Sequence, residues 1–429
     1  MKKLAVFIIL FIQFSLLGAQ EGPKDPIDTL TVAFNKLQSD LSLLKKIKIS
    51  GYIQAQYQIA DSAGIASFAG GNFPATVDNR FDVRRGRIKV AYESRLTQSV
   101  LQIDVTQRGV AIKDAFMKLT EPYKNALSLT AGMFSRPISF ECEYSSSLRE
   151  TPERTRMVQT LLPGERELGA KLSFQAPKTS KWNILKIEAG LFNGSGPSAA
   201  NDFDKYKDFI GNIGINKTSK NEKVNYAFRL SYYNGGVKQG NKFVYSEIEN
   251  SPSGIKSWVV DSTSSNLNGK AKREYMGLDY QLNLDGPMGI TAFRGEFLMG
   301  DQVGTASSST SPNSGTAPTG DTYIRPFNGA YLMLAQNILQ SKHQLVVKFD
   351  FYDPNTKVKS DEIGKAGSKL TAADIKYTTI GLGWNYRMTS NVKFMAYYDL
   401  VTNEKSANLA GFTKDLKDNV LTLRLQYKF

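Results

Sequence analysis

The chain has 429 residues, with 54 Lys and Arg against 40 Asp and Glu and a net charge of +14. That balance points to an anionic partner, whether a small anion, lipopolysaccharide phosphates or nucleic acid. One cysteine, Cys142, excludes an intramolecular disulfide framework, and one histidine, His343, leaves little for a His-based metal or acid–base centre.

The first residues carry Lys2 and Lys3, an apolar run from Leu4 to Leu17, then Gly18 and Ala19. This resembles a secretory signal peptide over residues 1–19, cleaved near Ala19, with no cysteine at the cleavage site for a lipid anchor. Export makes nucleic acid the least favoured partner. Beyond Gln20 no apolar run approaches the roughly 20 residues of a membrane-spanning helix, so any membrane crossing must use strands. Residues 20–46 form a linker and helix in which Ile27, Leu30, Phe34, Leu37, Leu41 and Leu44 recur at spacings of three and four. Two readings fit equally: a short periplasmic coiled coil joining three chains, or an amphipathic helix lying on its own barrel or on a periplasmic partner.

From Ile47 to Phe429 sixteen strand-like segments follow. In FDVRRGRIKVAYE, starting at Phe81, Ile88, Val90 and Tyr92 share one parity, while Arg85, Arg87 and Lys89 share the other. Leu101, Ile103 and Val105 alternate with Gln102 and Asp104, then Ala115, Met117 and Leu119 with Asp114, Phe116 and Lys118. Alternation alone fits a sandwich or a transmembrane barrel. The connections decide between them. Those after even-numbered strands are brief, such as ESRLTQ, EPYKN and RMTSN, whereas those after odd-numbered strands are mostly long, such as residues 135–165 and 234–273. A barrel with short periplasmic turns and long outer loops predicts that alternation. The expected fold is therefore all-β, a 16-stranded antiparallel transmembrane β-barrel with a short N-terminal helix. The low-complexity stretch from Gly304 to Thr322 is expected to be mobile and exposed. The terminal LTLRLQYKF closes on an aromatic residue, as outer-membrane barrels do.

Four pieces, RFDVRRGRIKV, DAFMKL, LSLTAGMFSRPISFE and LLPGERELGAKL, make residues 47–429 resemble the phosphate-selective porin family of O and P type. The resemblance implies a trimeric sixteen-stranded outer-membrane porin, with basic residues along the lumen passing anions and a third outer loop folded inward as a constriction. It also implies that Arg84 and Arg85 match the family's arginine doublet, that Asp104 matches its aspartate partner, and that residues 135–165 form the constriction loop. That loop carries Arg136, Glu141, Glu143, Arg149, Glu150, Arg154 and Arg156, a mixed charge that departs from an overwhelmingly basic phosphate filter.

By parity the lumen-facing candidates are Arg85, Arg87, Lys89, Lys118, Arg229, Arg294, Lys348, Lys393, Arg424 and Lys428, with Asp104, Asp114, Glu296, Asp350 and Asp399 on the same face. Arg84 falls on the lipid parity unless a bulge at Gly86 or a place at the rim turns it inward. Guanidinium and ammonium groups in a narrow lumen replace part of an anion's hydration. The expected function is passive diffusion of small anions across the bacterial outer membrane, with a homotrimer, outer-membrane lipid and lipopolysaccharide as partners. The alternative is a barrel that anchors surface adhesion. No nucleophile–base arrangement, metal-ligand spacing or phosphate loop is present in the sequence, so no catalytic, metal or cofactor role is expected.

Overall fold

The computed structural model describes residues 26–199, 201–252, 254–313 and 318–429. The proposed signal peptide, 1–19, lies outside them. Two units are separate: residues 1–47 and 48–429. In the first, α1 (Pro26–Leu44) begins with proline at its first position, where a missing N–H costs nothing, and its Phe34, Leu37, Leu41 and Leu44 are exposed.

The second unit holds eighteen strands: β1 (Ile47–Ala60), β2 (Asn79–Glu93), β3 (Thr97–Thr106), β4 (Gly109–Thr120), β5 (Leu127–Ser135), β6 (Arg166–Gln175), β7 (Leu185–Phe192), β8 (Asp208–Thr218), β9 (Val224–Lys238), β10 (Val244–Asn250), β11 (Lys256–Asp261), β12 (Lys270–Gly286), β13 (Gly289–Gly304), β14 (Thr322–Asn337), β15 (His343–Asp353), β16 (Tyr377–Arg387), β17 (Val392–Asn403) and β18 (Val420–Lys428). Sixteen of them pair with their neighbours in order, with β9 joined directly to β12. The sheet closes where β1 pairs antiparallel with β18, from Tyr52 opposite Lys428 to Ala60 opposite Val420. Closure leaves the sixteen-stranded wall without a free edge, which a strand in lipid cannot leave unpaired.

The remaining two strands, β10 and β11, form a hairpin inside the long connection between β9 and β12. Sequence reading leaves residues 234–273 as loop, because short strands outside the barrel do not carry its inside–outside alternation. The hairpin is held by Tyr245, Trp258 and Tyr323, packed with Val358, Ile363, Leu370 and Ile375 of the β15–β16 connection. Strand β14 also starts earlier than its sequence pattern, at Thr322. It tolerates Pro326 there because its pairing with β15 begins only at Asn328.

Side-chain burial along the strands is the reverse of a soluble core. In β1, Gln54, Gln56 and Gln58 are buried while Ile53 and Ile59 are exposed; in β2, Arg85 and Arg87 are buried while Ile88 and Val90 are exposed. Exposed Leu101, Met117, Leu129, Leu172, Ile213, Leu230, Phe293, Leu332, Val347, Ile380 and Leu425 continue the outer apolar belt around the sheet. Such a belt is stable against lipid and unstable against water.

Candidate functional site: a constricted lumen

The connection between β5 and β6 turns inward and packs inside the barrel. It contains two short helices, α2 (Phe140–Glu143) and α3 (Arg156–Leu161), each started by a hydroxyl cap: Cys142 N donates to Ser139 Oγ at 3.2 Å and Val158 N to Thr155 Oγ1 at 3.3 Å. Their apolar side chains, Ile138, Cys142, Met157, Val158, Leu161 and Leu162, bury against inward-facing Phe192, Ile210, Tyr233, Tyr275, Leu298, Phe327 and Tyr352. Part of the lumen wall is thus aromatic, and those rings are the floor on which the loop rests. Gly329 of β14 lets α3 approach, since a Cβ there would lie 2.8 Å from Met157 Sδ. Cys142 is a packed core residue whose Sγ–H donates to Glu165 O at 3.3 Å, and burial pushes its thiol up to about 11.

Charges fix the rest of the loop to the wall. Glu153 is the hub: its carboxylate accepts from Arg84 Nε at 2.8 Å, Arg85 Nη2 at 2.6 Å and Arg424 Nη2 at 2.8 Å. Burial alone would raise the Glu153 carboxyl, but the three guanidiniums outweigh it and hold it well below the usual range. The same balance, with Arg154, Arg166 and Lys113 as the cations, holds Glu165 well below it too. Arg229 bonds Asp279 at 2.7 Å and also Glu143, and Arg294 pairs with Glu150 while lying over Phe140 and Tyr144 at 5.4 and 4.6 Å. Neutral contacts complete the seam: Gln54 Nε2 to Ser146 O at 3.1 Å, Gln426 Nε2 to Ser147 O at 3.0 Å and Asn385 Nδ2 to Glu150 O at 2.9 Å.

The arginine doublet therefore engages the loop rather than Asp104. Arg84 does turn inward: ladder pairing between β2 and β3 stops at Arg87, and above it the chain runs to the rim. Gly86 permits this, since a Cβ there would sit 2.2 Å from Val105 O. Asp104 instead bonds Arg87 Nε at 3.1 Å and accepts from Gly86 N at 3.0 Å. Within the loop, Arg136 Nη2 donates to Pro163 O at 2.8 Å, and Arg154 bonds Glu141 O and Glu165. Arg156 stacks on Phe68 and Tyr377, its Cζ 4.3 and 3.6 Å from the ring centroids. The Arg149 guanidinium is buried with only Ser146 Oγ, at 3.3 Å, as hydrogen-bond partner among the described residues.

The loop presses on β1, β8, β9, β13 and β16–β18 and leaves a space of about 520 Å³ beside β2–β7. Seven cations (Arg87, Lys89, Lys118, Arg154, Arg166, Lys171, Lys186) and three carboxylates (Asp114, Glu143, Glu188) line it. Lys171 and Lys186 share Glu188 at 2.7 and 2.9 Å, and Arg166 bonds Asp114 at 3.1 Å. Lys89 and Lys118 form no ion pair among the described residues. Sequence reasoning missed Glu153 and Glu165 as anchors, and Lys171, Lys186 and Glu188 as lumen groups. The last three sit on the polar parity of β6 and β7, so alternation could have found them. Lys113 follows a different rule. An extra residue between the pairs Gln102–Asp114 and Ile103–Ile112 makes a bulge there, placing Lys113 among Glu165, Arg87 and Arg166.

Outer connections also fold over the lumen. Gln159 Nε2 donates to Phe68 O of the first loop at 2.8 Å. Ser311, expected in a mobile exposed stretch, is buried: its N–H donates to Thr160 O at 2.9 Å and its hydroxyl accepts from Arg273 Nη1 at 2.8 Å. Arg273 is itself paired with Asp208, and this inward-facing cation organises a segment whose own composition gives no hint of order. Residues 314–317 of that stretch lie outside the described ones.

No protein-family model matches this chain, and no curated protein matches it in sequence. Solved structures share its fold. OprB of Pseudomonas putida, in its high-pH structure, is 10% identical with a TM-score of 0.54, covering 92% of this chain and 97% of that one. OmpT of Vibrio cholerae, folded in vitro in a trimer form, is 9% identical with a TM-score of 0.50, covering 89% and 99%. OmpF of Salmonella typhi, in complex with daunomycin, is 10% identical with a TM-score of 0.50, covering 89% and 97%. The phosphate-selective family is not among these findings. A closed sixteen-stranded antiparallel sheet, an outer apolar belt and this likeness of fold together make the chain a sixteen-stranded β-barrel of the bacterial outer membrane.

Proposed function

We propose that the barrel is a passive diffusion channel with a moderate preference for small anions, set in the gap between the inward loop and β2–β7. The observation that carries this is the excess of cations over carboxylates lining that gap, with Lys89 and Lys118 left without a carboxylate partner. Unpaired ammonium groups attract a passing anion without holding it, as conduction requires. Most lumen arginines are neutralised by loop carboxylates, which argues for general anion diffusion over a dedicated phosphate site. The reading extends to three chains side by side, with the exposed heptad residues of α1 as a coiled-coil seam. Planar-bilayer reversal potentials in a KCl gradient test the central part. Wild type is expected to favour chloride, and Lys89→Gln with Lys118→Gln to move the ratio toward unity. A cation preference in wild type contradicts the proposal.

A further inference from the structure

We infer that the short-turn end of the barrel carries a site for one phospholipid of the inner leaflet, on the outer face at β5–β7. The connection from β6 to β7, residues 176–184, is long for this end and stands over the wall. It borders a groove of about 670 Å³ lined by Lys124, Phe174, Trp182, Leu185 and Ile187 among others. That volume is in the range, about 300–1,000 Å³, that holds a small ligand. Its floor is a cross-strand pair on the lipid face, Phe174 opposite Ile187, and Trp182 forms the wall.

The floor is apolar and the rim is cationic. Lys124 lines the groove, Lys181 Nζ lies 5.9 Å from the Trp182 ring centroid, and Lys178 is exposed in the same turn. None of the three forms an ion pair among the described residues. Trp182 and Tyr123 are exposed at this level, where amphipathic rings meet headgroups. An acyl chain along Phe174 and Ile187 with its phosphate at Lys124 and Lys181 satisfies both halves, and charge complementarity selects a glycerophospholipid over an uncharged lipid.

The test uses the full chain in detergent, carrying Trp384→Phe so that Trp182 is the one outward-facing tryptophan, Trp258 being buried in the outer loops. Titration with brominated phosphatidylglycerol is expected to quench fluorescence saturably at one lipid per chain, and brominated diacylglycerol to quench weakly. Lys124→Gln and Lys181→Gln should each weaken the lipid by about five-fold. Linear, unsaturable quenching, or indifference to both substitutions, overturns the site. So does a change of oligomeric state on Ile187→Ala without any change in lipid affinity, which would assign the groove to a second copy of the chain. Channel recordings are independent of this result, so failure here leaves the diffusion proposal standing.

Discussion

Replacing Glu153 with Gln keeps its size and deletes the charge on which Arg84, Arg85 and Arg424 converge. The Arg85 and Arg424 side chains are only 3% and 2% exposed, so three guanidiniums would be left facing one another away from bulk water. Removing one partner from a buried pair costs about 3–5 kcal/mol. The loop keeps its other holds, Gln54 on Ser146, Arg294 on Glu150 and Asn385 on Glu150, so residues 151–156 should loosen while the barrel stays folded. Two changes in single-channel recording follow. The loosened loop widens the gap and raises conductance with greater open-state noise. A unit charge acting through water over roughly 8 Å is worth about 0.5 kcal/mol, so the lost negative charge should raise anion partition by no more than roughly two-fold. Unchanged conductance, noise and chloride preference in a variant that still migrates as a folded barrel would refute Glu153 as the anchor.

Three more outcomes follow from the same geometry. The Glu153 and Glu165 carboxyls sit well below their usual range, so their stabilisation is full above the unfolded value of about 4.3 and is lost only as pH falls through the depressed folded values; the difference in conductance between wild type and Glu153→Gln should therefore hold steady from pH 7 to about 4.5, and its collapse between pH 5 and 6 would contradict the pairing. Arg325 and Asp374 form a fully buried pair beneath Trp258 and Tyr323, so Asp374→Ala should cost the outer loops about 3–5 kcal/mol and open residues 244–261 to protease on intact cells, with heat-resistant barrel migration retained. Leu332→Arg on the lipid face should destabilise the barrel by about 2–4 kcal/mol in lipid-vesicle unfolding, whereas Lys89→Gln on the lumen face should leave stability nearly unchanged.

The barrel was legible because its rule is local: period-two alternation and the succession of short and long connections each sit within a few residues. The lumen positions of Arg85, Arg87, Lys89, Lys118, Arg229 and Arg294 follow from the same parity. What they touch does not, because their partners lie far away in sequence. Glu153 meets Arg424 across 271 residues, and Glu150 meets Arg294 across 144. No spacing rule encodes a loop folding back through its own barrel. Arg84 and Lys113 are displaced from simple parity by a ladder that stops early and by a bulge, both of which depend on pairing partners. The hairpin β10–β11 and buried Ser311 were hidden for another reason: tertiary contacts with Tyr323 and Arg273 order segments of weak intrinsic preference.

Charged side chains face an aqueous lumen while their apolar neighbours face lipid, and neighbouring positions on β2 test that division most directly. In a Cys142→Ser chain, a charged water-borne thiol reagent added during bilayer recording should block current through Lys89→Cys and leave Val90→Cys unaffected. Block at residue 90 with silence at residue 89 would contradict the assignment of inside and outside.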